Sequence, residues 1–317
     1  MESIGLDLAN GFIKVKGKRE PIFYENKLRR IKHGSYSVIK EDDQVVYEYD
    51  DESYVLDPIN GISSGGRNNQ RYSTEQYLIE CLVAITRVTS ATEIALTVGL
   101  PCKDYGNTEI ETSLTENLLG THIIKLNAIP RVIEIKKVNI LCEPVGTLLD
   151  LIIDDNLRFD PELENLKYLI IDIGFGTMDI IKTIGLNIVD HSHANIGSMT
   201  LIGEFLERIN KNHGSTDVIF KEEDVTMIPK EKIHKYQKEW DFSKELIAAK
   251  KFVAKQVTSE INQKNVAYSD FDCVVFTGGT CLELKDYLTL PSNAIIYSEC
   301  QTGNVRGYQK YGLIMKG

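Results

Sequence analysis

The sequence lacks the features of membrane and secreted proteins. No run of eighteen apolar residues occurs in its 317 positions, so we expect no transmembrane helix and no membrane partner. The first residues, MESIGLD, have neither the basic start nor the apolar stretch of a signal peptide, which predicts a cytoplasmic protein. Hydrophobic residues make up 42% of the chain and charged residues 26%, values typical of a globular protein, and the length predicts two domains.

Paired cysteines are also absent. Six cysteines are scattered along the chain, and none of them forms a Cys-x-x-Cys pair. The spacings that hold zinc are therefore missing, and buried free thiols in a reducing compartment are the better interpretation. His191 and His193 form the one close histidine pair. With no third ligand nearby, we interpret them as strand-end or loop residues.

An excess of positive charge is lacking as well. The formal net charge is −10, the opposite of what extensive contact with nucleic acid requires, so we expect no direct specific DNA binding. A local basic cluster near the N-terminus predicts a solvated hairpin face or, alternatively, a contact patch for a neighbouring subunit. Its members are Lys14, Lys16, Lys18, Arg19, Lys27, Arg29, Arg30 and Lys32.

Three common nucleotide and hydrolase motifs do not occur. The missing G-x-x-x-x-G-K-[ST] pattern excludes the Walker-type NTPases. The segment GFGTMD at 174–179 has only two properly spaced glycines and leads into a strand, which argues against a Rossmann dinucleotide site. No G-x-S-x-G elbow is present for a serine hydrolase. A nucleotide site in this chain must therefore be of another type.

The two halves of the chain share one plan. Each begins with an apolar strand, a turn that contains Asp and Gly, and a return strand, and a polar acidic stretch with Pro161 separates the halves. We predict domain I at 1–160, joined by a C-terminal helix at about 303–317, and domain II at 161–302. Periodicity predicts further elements, which are a Ser73-x-x-Gln76 capping box before a helix to Val88, strands at Glu93–Val98 and Val138–Leu141, and helices at Pro144–Ile153 and Phe242–Ile261.

The first motif, IGLDLANGFIKV at 4–15, delivers Asp7 to a tight turn. Asn10 and Gly11 allow the backbone angles that this turn needs, and its N–H groups can bind phosphate oxygens. Asp7 could hold Mg²⁺ through water, and Lys14 could reach the β- and γ-phosphates. Any Asn-Gly hairpin would look similar, so a purely structural turn is the alternative.

The second motif, LIIDIGFGTMDII at 169–181, repeats this pattern. Asp172 ends an apolar strand, and Gly174 and Gly176 leave room for a phosphate, while Thr177 adds a hydroxyl. A structural hairpin is again the alternative. Two such turns in equivalent places are a stronger signal than either alone, because two turns that face each other can hold one polyphosphate from both sides.

Two further motifs complete the set. In VVFTGGT at 274–280, the pair Gly278 and Gly279 would let a flat base and ribose lie against the backbone. Glu143, followed by Pro144 at the start of a helix, could orient or deprotonate a water for attack on a γ-phosphate. The alternatives are a common turn and a carboxylate that complements the helix dipole.

In this order, the four motifs resemble those of the actin, Hsp70 and sugar-kinase superfamily. The likeness runs from Asp7 to about Gly312. It implies an α/β, actin-like (ribonuclease H-like) fold with two related domains around a nucleotide cleft. It also implies that ATP or ADP, with GTP or GDP as the alternative, binds with Mg²⁺. By the same resemblance Asp7 and Asp172 position Mg²⁺ and the attacking water, and Glu143 polarises that water.

The resemblance also assigns nucleotide contacts. The residues it implies for binding phosphates are Asn10, Gly11, Phe12, Lys14, Gly174, Phe175, Gly176 and Thr177. Those implied for the adenosine are Gly278, Gly279 and Thr280. Ala9 stands where many members of the superfamily have Gly, so the first turn is expected to be less open.

Within the superfamily, the sequence is most similar to the ParM and Alp group of bacterial plasmid-segregation actins. The opening D-x-x-N-G-x-x-K, the segment NNQRYSTEQYLIECLVAI, and the segments VGLP and NIGSMTL carry this likeness. It implies an ATPase that assembles head to tail into filaments, disassembles after hydrolysis, and segregates plasmid DNA through a ParR-like DNA-binding adaptor. The alternatives are a non-polymerising small-molecule kinase of the same fold and an FtsA-like binding or scaffold module. A sugar-kinase signature and a C-terminal amphipathic helix are not visible, which disfavours both.

Overall fold

The computed structural model describes most of the chain. The described residues are 1–9, 11–31, 45–57, 69–215, 218–226 and 228–315. The predicted turn residue Asn10 lies outside them.

Seven α-helices lie within the described residues: Glu75–Val88 (α1), Thr108–Leu118 (α2), Glu143–Ile152 (α3), Ser198–His213 (α4), Ser243–Gln263 (α5), Gly279–Leu284 (α6) and Gly303–Ile314 (α7). The strands in the same residues are Glu2–Leu8 (β1), Phe12–Lys16 (β2), Ile22–Glu25 (β3), Leu28–Ile31 (β4), Val46–Tyr49 (β5), Glu52–Leu56 (β6), Glu93–Leu100 (β7), Gly120–Leu126 (β8), Ile129–Cys142 (β9), Lys167–Ile173 (β10), Met178–Ile184 (β11), Asn187–Ala194 (β12), Lys232–Lys235 (β13), Lys238–Asp241 (β14), Cys273–Thr277 (β15) and Ala294–Ile296 (β16). None of the helices in the described ranges is long and apolar enough to cross a membrane.

The chain forms two compact units. One comprises residues 1–164 together with 302–317, and the other comprises residues 165–301. Each unit has its own sheet and its own hydrophobic core. Each sheet contains parallel strands, which are β1, β7 and β9 in the first unit and β10 and β15 in the second, and helices pack on both sheets. The predicted α/β class is therefore confirmed.

The first unit is built on a nine-stranded sheet in the order β3-β2-β1-β7-β9-β8-β5-β6-β4. Strands β1, β7 and β9 are parallel neighbours, and β2 returns antiparallel to β1. All of β1 is buried, as expected for a central strand that is covered by helices, and α1 and α7 both pack on it. The end of β1 carries the first Asp-turn-Gly segment.

The second unit repeats this local plan on a five-stranded sheet in the order β12-β11-β10-β15-β16. Strand β11 returns antiparallel to β10, and β15 lies parallel on the other side of β10. Helices α4 and α5 pack against each other, and their apolar faces join the core of this unit. The end of β10 carries the second Asp-turn-Gly segment, as the sequence predicts.

Helices α3 and α7 cross at a glycine of each helix, Gly146 and Gly307. A Cβ added at Gly307 would lie 1.8 Å from the carbonyl oxygen of Gly146, so the backbones touch. Beside this crossing, the Asn304 Oδ1 accepts hydrogen bonds from the Thr147 N–H at 3.1 Å and from the Thr147 hydroxyl at 2.8 Å. Helix α7 therefore fixes the position of α3, which begins at Glu143.

The start of α1 differs from the predicted capping box. The residue that caps the helix is Thr74, whose hydroxyl accepts a hydrogen bond from the Tyr77 N–H at 3.2 Å. Ser73 instead ends a short 3-10 turn, and Gln76 donates to Glu80 at 3.1 Å rather than back to the cap. The predicted capping box was therefore wrong, although the helix and its apolar stripe are confirmed.

Several elements are longer than, or additional to, those predicted from the sequence, and β9 and α2 are two examples. The strand predicted at Val138–Leu141 is the end of β9, whose first half forms an antiparallel hairpin with β8. In that half only Ile133 and Ile135 are buried, and polar residues interrupt the apolar ones, so it has no continuous apolar run. Helix α2 was not predicted.

Candidate functional site

The first turn ends the central strand of the first unit. Asp7 lies near the end of β1, with a side chain that is 3% exposed. It stands opposite Lys14 across the β1–β2 pair, and the Lys14 Nζ lies 2.8 Å from the Asp7 Oδ2. The structure thus brings these two predicted residues together as a buried ion pair. The Lys14 ammonium group therefore lies beside the turn, where a bound phosphate could compete with Asp7 for it.

Gly11 and Phe12 lie on the return side of the same turn. The carbonyl of Gly11 accepts a hydrogen bond from the Asn26 N–H at 2.9 Å. The Phe12 ring packs edge-on against Phe23 of β3, with 6.3 Å between the ring centroids. The Phe12 ring therefore packs β2 against β3, and a phosphate contact at this residue would come from its backbone.

The second turn ends the central strand of the second unit. Asp172 lies near the end of β10 and is 8% exposed. The turn closes through a hydrogen bond from the Gly174 N–H to the Thr177 carbonyl at 2.9 Å. At Gly176, an added Cβ would meet no described atom within 4 Å. The backbone at this glycine is therefore open to close approach by a ligand.

The start of α4 holds the second turn from behind. The N–H groups of Ser198 and Met199 donate to the carbonyls of Gly174 at 3.3 Å and Phe175 at 2.9 Å. A Cβ added at Gly197 would lie 2.5 Å from the Gly174 carbonyl oxygen, so a glycine is required there. The segment NIGSMTL thus has a role that its sequence did not reveal, which is to fix the peptide planes of the turn.

Thr280 also supports the second turn. Its hydroxyl donates to the Gly174 carbonyl at 2.6 Å and lies 2.6 Å from the Ser198 hydroxyl. This side chain is buried and bonded within the protein, so it holds the turn. Next to it, a hydrogen bond to Cys300 together with burial raises the pKa of the Cys281 thiol, which keeps that sulfur neutral.

The third motif lies against the second turn within the same unit. Gly278 adopts φ +92°, and a Cβ there would lie 2.3 Å from the Asp172 Oδ1. Both facts require glycine, because another residue would be strained and would displace the carboxylate. Gly279 is the first residue of α6, and a Cβ there would lie 2.6 Å from the Gln301 Oε1. Only Gly278 therefore separates the end of β15 from the start of α6.

Asp179, on β11 just after the second turn, is a residue to which the sequence analysis gave no role. It is the cross-strand partner of Asp172, is buried, and accepts a hydrogen bond from the Thr177 hydroxyl at 3.1 Å. Asp7 and Lys14 have the same cross-strand relation in the first unit. In both units the partner follows the Asp by seven positions, and this repeat was visible in the sequence. The partner is a cation in the first unit and a carboxylate in the second.

Glu143 is the first residue of α3 and is half-buried. Its carbonyl accepts a hydrogen bond from the Tyr308 hydroxyl of α7 at 3.0 Å. A Cβ added at Gly99 would lie 2.2 Å from the Tyr308 hydroxyl and 3.0 Å from the Glu143 Cγ, so the small residue at the end of β7 makes room for both. The predicted general base thus sits on a helix start that is packed against β7 and hydrogen-bonded to α7.

The residues of each turn, taken by itself, suit phosphate oxygens and magnesium. Asp7 and Asp172 supply carboxylate oxygens at strand ends, which magnesium prefers as ligands. Within the described ranges, no group of three or more His, Cys, Asp or Glu side chains is placed to hold a metal ion. Magnesium is commonly bound by one or two carboxylates together with waters and phosphate oxygens, so the carboxylate at the end of each strand is a suitable ligand for it when a nucleotide is bound.

Comparisons with known proteins agree with this geometry. Residues 5–146 match the family model for the N-terminal domain of actin-like proteins, and residues 170–289 match the model for the C-terminal domain of the archaeal MreB-like actin homologue. The chain thus matches an actin-like domain model in each of its halves. Both turns, Glu143 and the glycine pair at 278 and 279 fall within the matched residues of this actin-like chain.

Solved structures show the same fold over nearly the whole length. An apo ParM protein of pSK41 is 19% identical, with a TM-score of 0.76, over 99% of this chain and 98% of that chain. An archaeal actin homologue in complex with ADP is 16% identical, with a TM-score of 0.77, over 99% and 100%. A ParM from a 15-stranded filament of Clostridium botulinum is 18% identical, with a TM-score of 0.77, over 99% of each chain. None of the curated protein sequences compared matches the chain. The actin-like two-domain α/β fold is confirmed.

Proposed function

We propose that this actin-like chain binds and hydrolyses ATP with Mg²⁺, with GTP as the alternative nucleotide, and that nucleotide binding drives its assembly into filaments. The observation that carries the proposal is the pair of equivalent turns, at Asp7 and at Asp172, each at the end of a central strand and each with buried carboxylates. The two compact units would then be the two actin-like domains, in a cytoplasmic protein.

The two turns would bind the phosphates through backbone N–H groups and one cation. In the first turn, the residues are Asn10, Gly11, Phe12 and Lys14. In the second turn, they are Gly174, Phe175, Gly176 and Thr177. The open backbone at Gly176 supports this assignment, because a phosphate oxygen needs close access to the amides. Gly278 and Gly279 would lie against the adenosine, and Thr280 would act by holding the turn.

Asp7 and Asp172 would hold Mg²⁺ through its waters. The bound ion neutralises charge on the phosphate oxygens. For the chain's own residues, the consequence is that both carboxylates must stay ionised at the strand ends. Before any ligand is bound, the Lys14 ammonium group lies 2.8 Å from the Asp7 Oδ2.

Glu143 would accept the proton of the attacking water. Its position at the start of α3 is fixed by the hydrogen bond from Tyr308 to its carbonyl, so its side chain extends from a rigid point. The alternative role of a first-turn Glu is to complement the helix dipole, and Glu109 in the first turn of α2 has that role without any of the site contacts. The two glutamates therefore provide a matched comparison.

Glu143→Ala should lower ATP turnover by roughly a hundredfold or more while nucleotide affinity survives, because a general base contributes that much to rate. Glu109→Ala should leave turnover unchanged and cost only the dipole contribution to stability. Steady-state phosphate release and equilibrium nucleotide binding measure the two effects. Equal turnover in the wild type and in Glu143→Ala would remove Glu143 from the mechanism.

Self-assembly and plasmid segregation complete the proposal. Filaments are described for relatives of the same fold, among them the ParM of Clostridium botulinum and Alp12. We infer a head-to-tail filament that disassembles after hydrolysis and that reaches plasmid DNA through a ParR-like adaptor. The net charge of −10 agrees with an adaptor, since the chain itself is poorly suited to bind DNA.

A further inference from the structure

The backbone of the first turn is tied down by Asn26, which lies between β3 and β4. The Asn26 N–H donates to the Gly11 carbonyl at 2.9 Å. Its side-chain amide donates to the Ala9 carbonyl at 3.3 Å and to the Glu80 Oε2 at 3.1 Å. One residue thus fixes a carbonyl on each side of the turn, and it is connected by its side chain to α1.

Glu80 anchors this arrangement in the core of the first unit. It is fully buried on α1, at a position flanked by apolar residues. Its second oxygen accepts a hydrogen bond from the Gln76 amide at 3.1 Å, so both carboxylate oxygens are used. Burying a carboxylate costs free energy unless it is well bonded. The buried Glu80 carboxylate has a structural role, which is to hold the side-chain amide of Asn26 in place.

Asn26 is equally unusual. It is fully buried, and its amide oxygen has no hydrogen-bond donor among the described residues. In most buried amides both the oxygen and the nitrogen form hydrogen bonds. In Asn26 only the nitrogen does so among the described residues, so we take its role to be that of a hydrogen-bond donor. The acceptors on Ala9 and Glu80 fix the orientation of the amide, because both require the nitrogen.

The direction of these bonds has a consequence for a ligand. In a trans peptide the C=O and the N–H of one plane point in opposite directions. Asn26 donates hydrogen bonds to the carbonyls of Ala9 and Gly11 and so fixes the direction in which they point. The Arg71 guanidinium does the same for the Leu8 carbonyl, with 2.5 Å between the Arg71 Nη2 and that oxygen. The N–H groups of Ala9 and Phe12, which share peptide planes with the Leu8 and Gly11 carbonyls, are thereby turned away from these partners. This is the arrangement that binds phosphate oxygens.

We propose that Asn26, held by Glu80, is a positioning residue that keeps the first turn in the conformation that binds the nucleotide phosphates. This inference rests on the proposed nucleotide binding and adds a determinant that no sequence motif marks. Asn26 and Glu80 act through the turn and do not themselves contact the nucleotide.

The test uses the full chain and Mg-ATP. Asn26→Asp keeps the shape of the side chain but removes both side-chain donors, and it places a carboxylate against Glu80. We expect the affinity for Mg-ATP to fall about tenfold, which corresponds to the loss of one or two hydrogen bonds. The KM for ATP should rise by a similar factor, while kcat changes little because Glu143 lies on a separate helix. Asn26→Ser gives the same readout if the first variant does not fold.

A second change separates positioning from stability. Adding Glu80→Gln to Asn26→Asp lets the new amide donate to the introduced aspartate, so the pair and the thermal stability should recover. The Ala9 carbonyl still has no donor, so the affinity should stay low. Asn210→Asp is the matched control, since Asn210 holds the N–H and carbonyl of Phe220 in the other unit. It should lower stability without changing affinity.

The outcomes are distinct. Unchanged affinity in folded Asn26→Asp, or full recovery of affinity in the double variant together with stability, would overturn the positioning role. If the wild-type chain binds neither Mg-ATP nor Mg-GTP, the proposed function itself is wrong, and the role of Asn26 falls with it. The inference is supported if the affinity is low in Asn26→Asp and in the double variant with Glu80→Gln, and normal in Asn210→Asp.

Discussion

Gly307→Ala should destabilise the first unit through the crossing of α3 and α7. The added Cβ would lie 1.8 Å from the Gly146 carbonyl oxygen and 3.0 Å from the Asp150 backbone nitrogen. Contacts below about 3 Å are not tolerated between such atoms, so the helices must separate by more than 1 Å. Overpacking of this kind costs about 1–3 kcal/mol and occasionally more. Because both contacting groups are helix backbone and cannot rotate away, we expect about 3 kcal/mol.

The matched control for this change is Gly203→Ala in the interior of α4. There an added Cβ meets no described atom within 4 Å, and alanine is favoured over glycine in a helix by about 1 kcal/mol. The two substitutions should therefore shift stability in opposite directions. Urea unfolding followed by circular dichroism measures the shift, and hydrogen exchange of peptides from α3 and α7 locates it. If Gly307→Ala unfolds at the wild-type urea concentration, the close crossing is incorrect.

Two further predictions concern buried charges and phenols. Lys14→Met should lower the free energy of unfolding by about 3 kcal/mol, because it leaves the buried Asp7 carboxylate without its cation. Adding Asp7→Asn should recover much of this, and equal stability of the single and double variants would contradict the ion-pair argument. Burial raises the pKa of Tyr24, Tyr72 and Tyr77 above that of an unfolded tyrosine, about 10. The unfolded chain then loses these protons first, so thermal stability should fall as the pH rises past 10, and Tyr24→Phe should make that fall shallower.

The parts of the fold that could be predicted are local. The stripe of α1 and the strand-turn-strand units at Asp7 and Asp172 are short segments whose periodicity and turn residues agree. For α2 a local signal existed but was missed. Asn107 caps the helix, and Ile110 and Leu114 begin a buried stripe at a spacing of four.

The parts that could not be predicted depend on contacts between distant positions. Asn26 and Glu80 are 54 positions apart, and Asn26 lies in none of the motifs that the sequence shows. The hydroxyl of Thr280 bonds to the carbonyl of Gly174, 106 positions away, so a residue predicted to contact the adenosine also supports the second turn. Side-chain polarity alone cannot distinguish a ligand contact from such internal support.

The central claim is that nucleotide binding at the two turns drives filament assembly. Negative-stain electron microscopy of Glu143→Ala, compared with the wild type, tests it most directly in the presence of Mg-ATP. We predict filaments in both samples, with wild-type filaments disappearing as ATP is consumed and those of Glu143→Ala persisting. Nucleotide-bound protein that forms no filaments over a wide concentration range, in either sample, would contradict the claim.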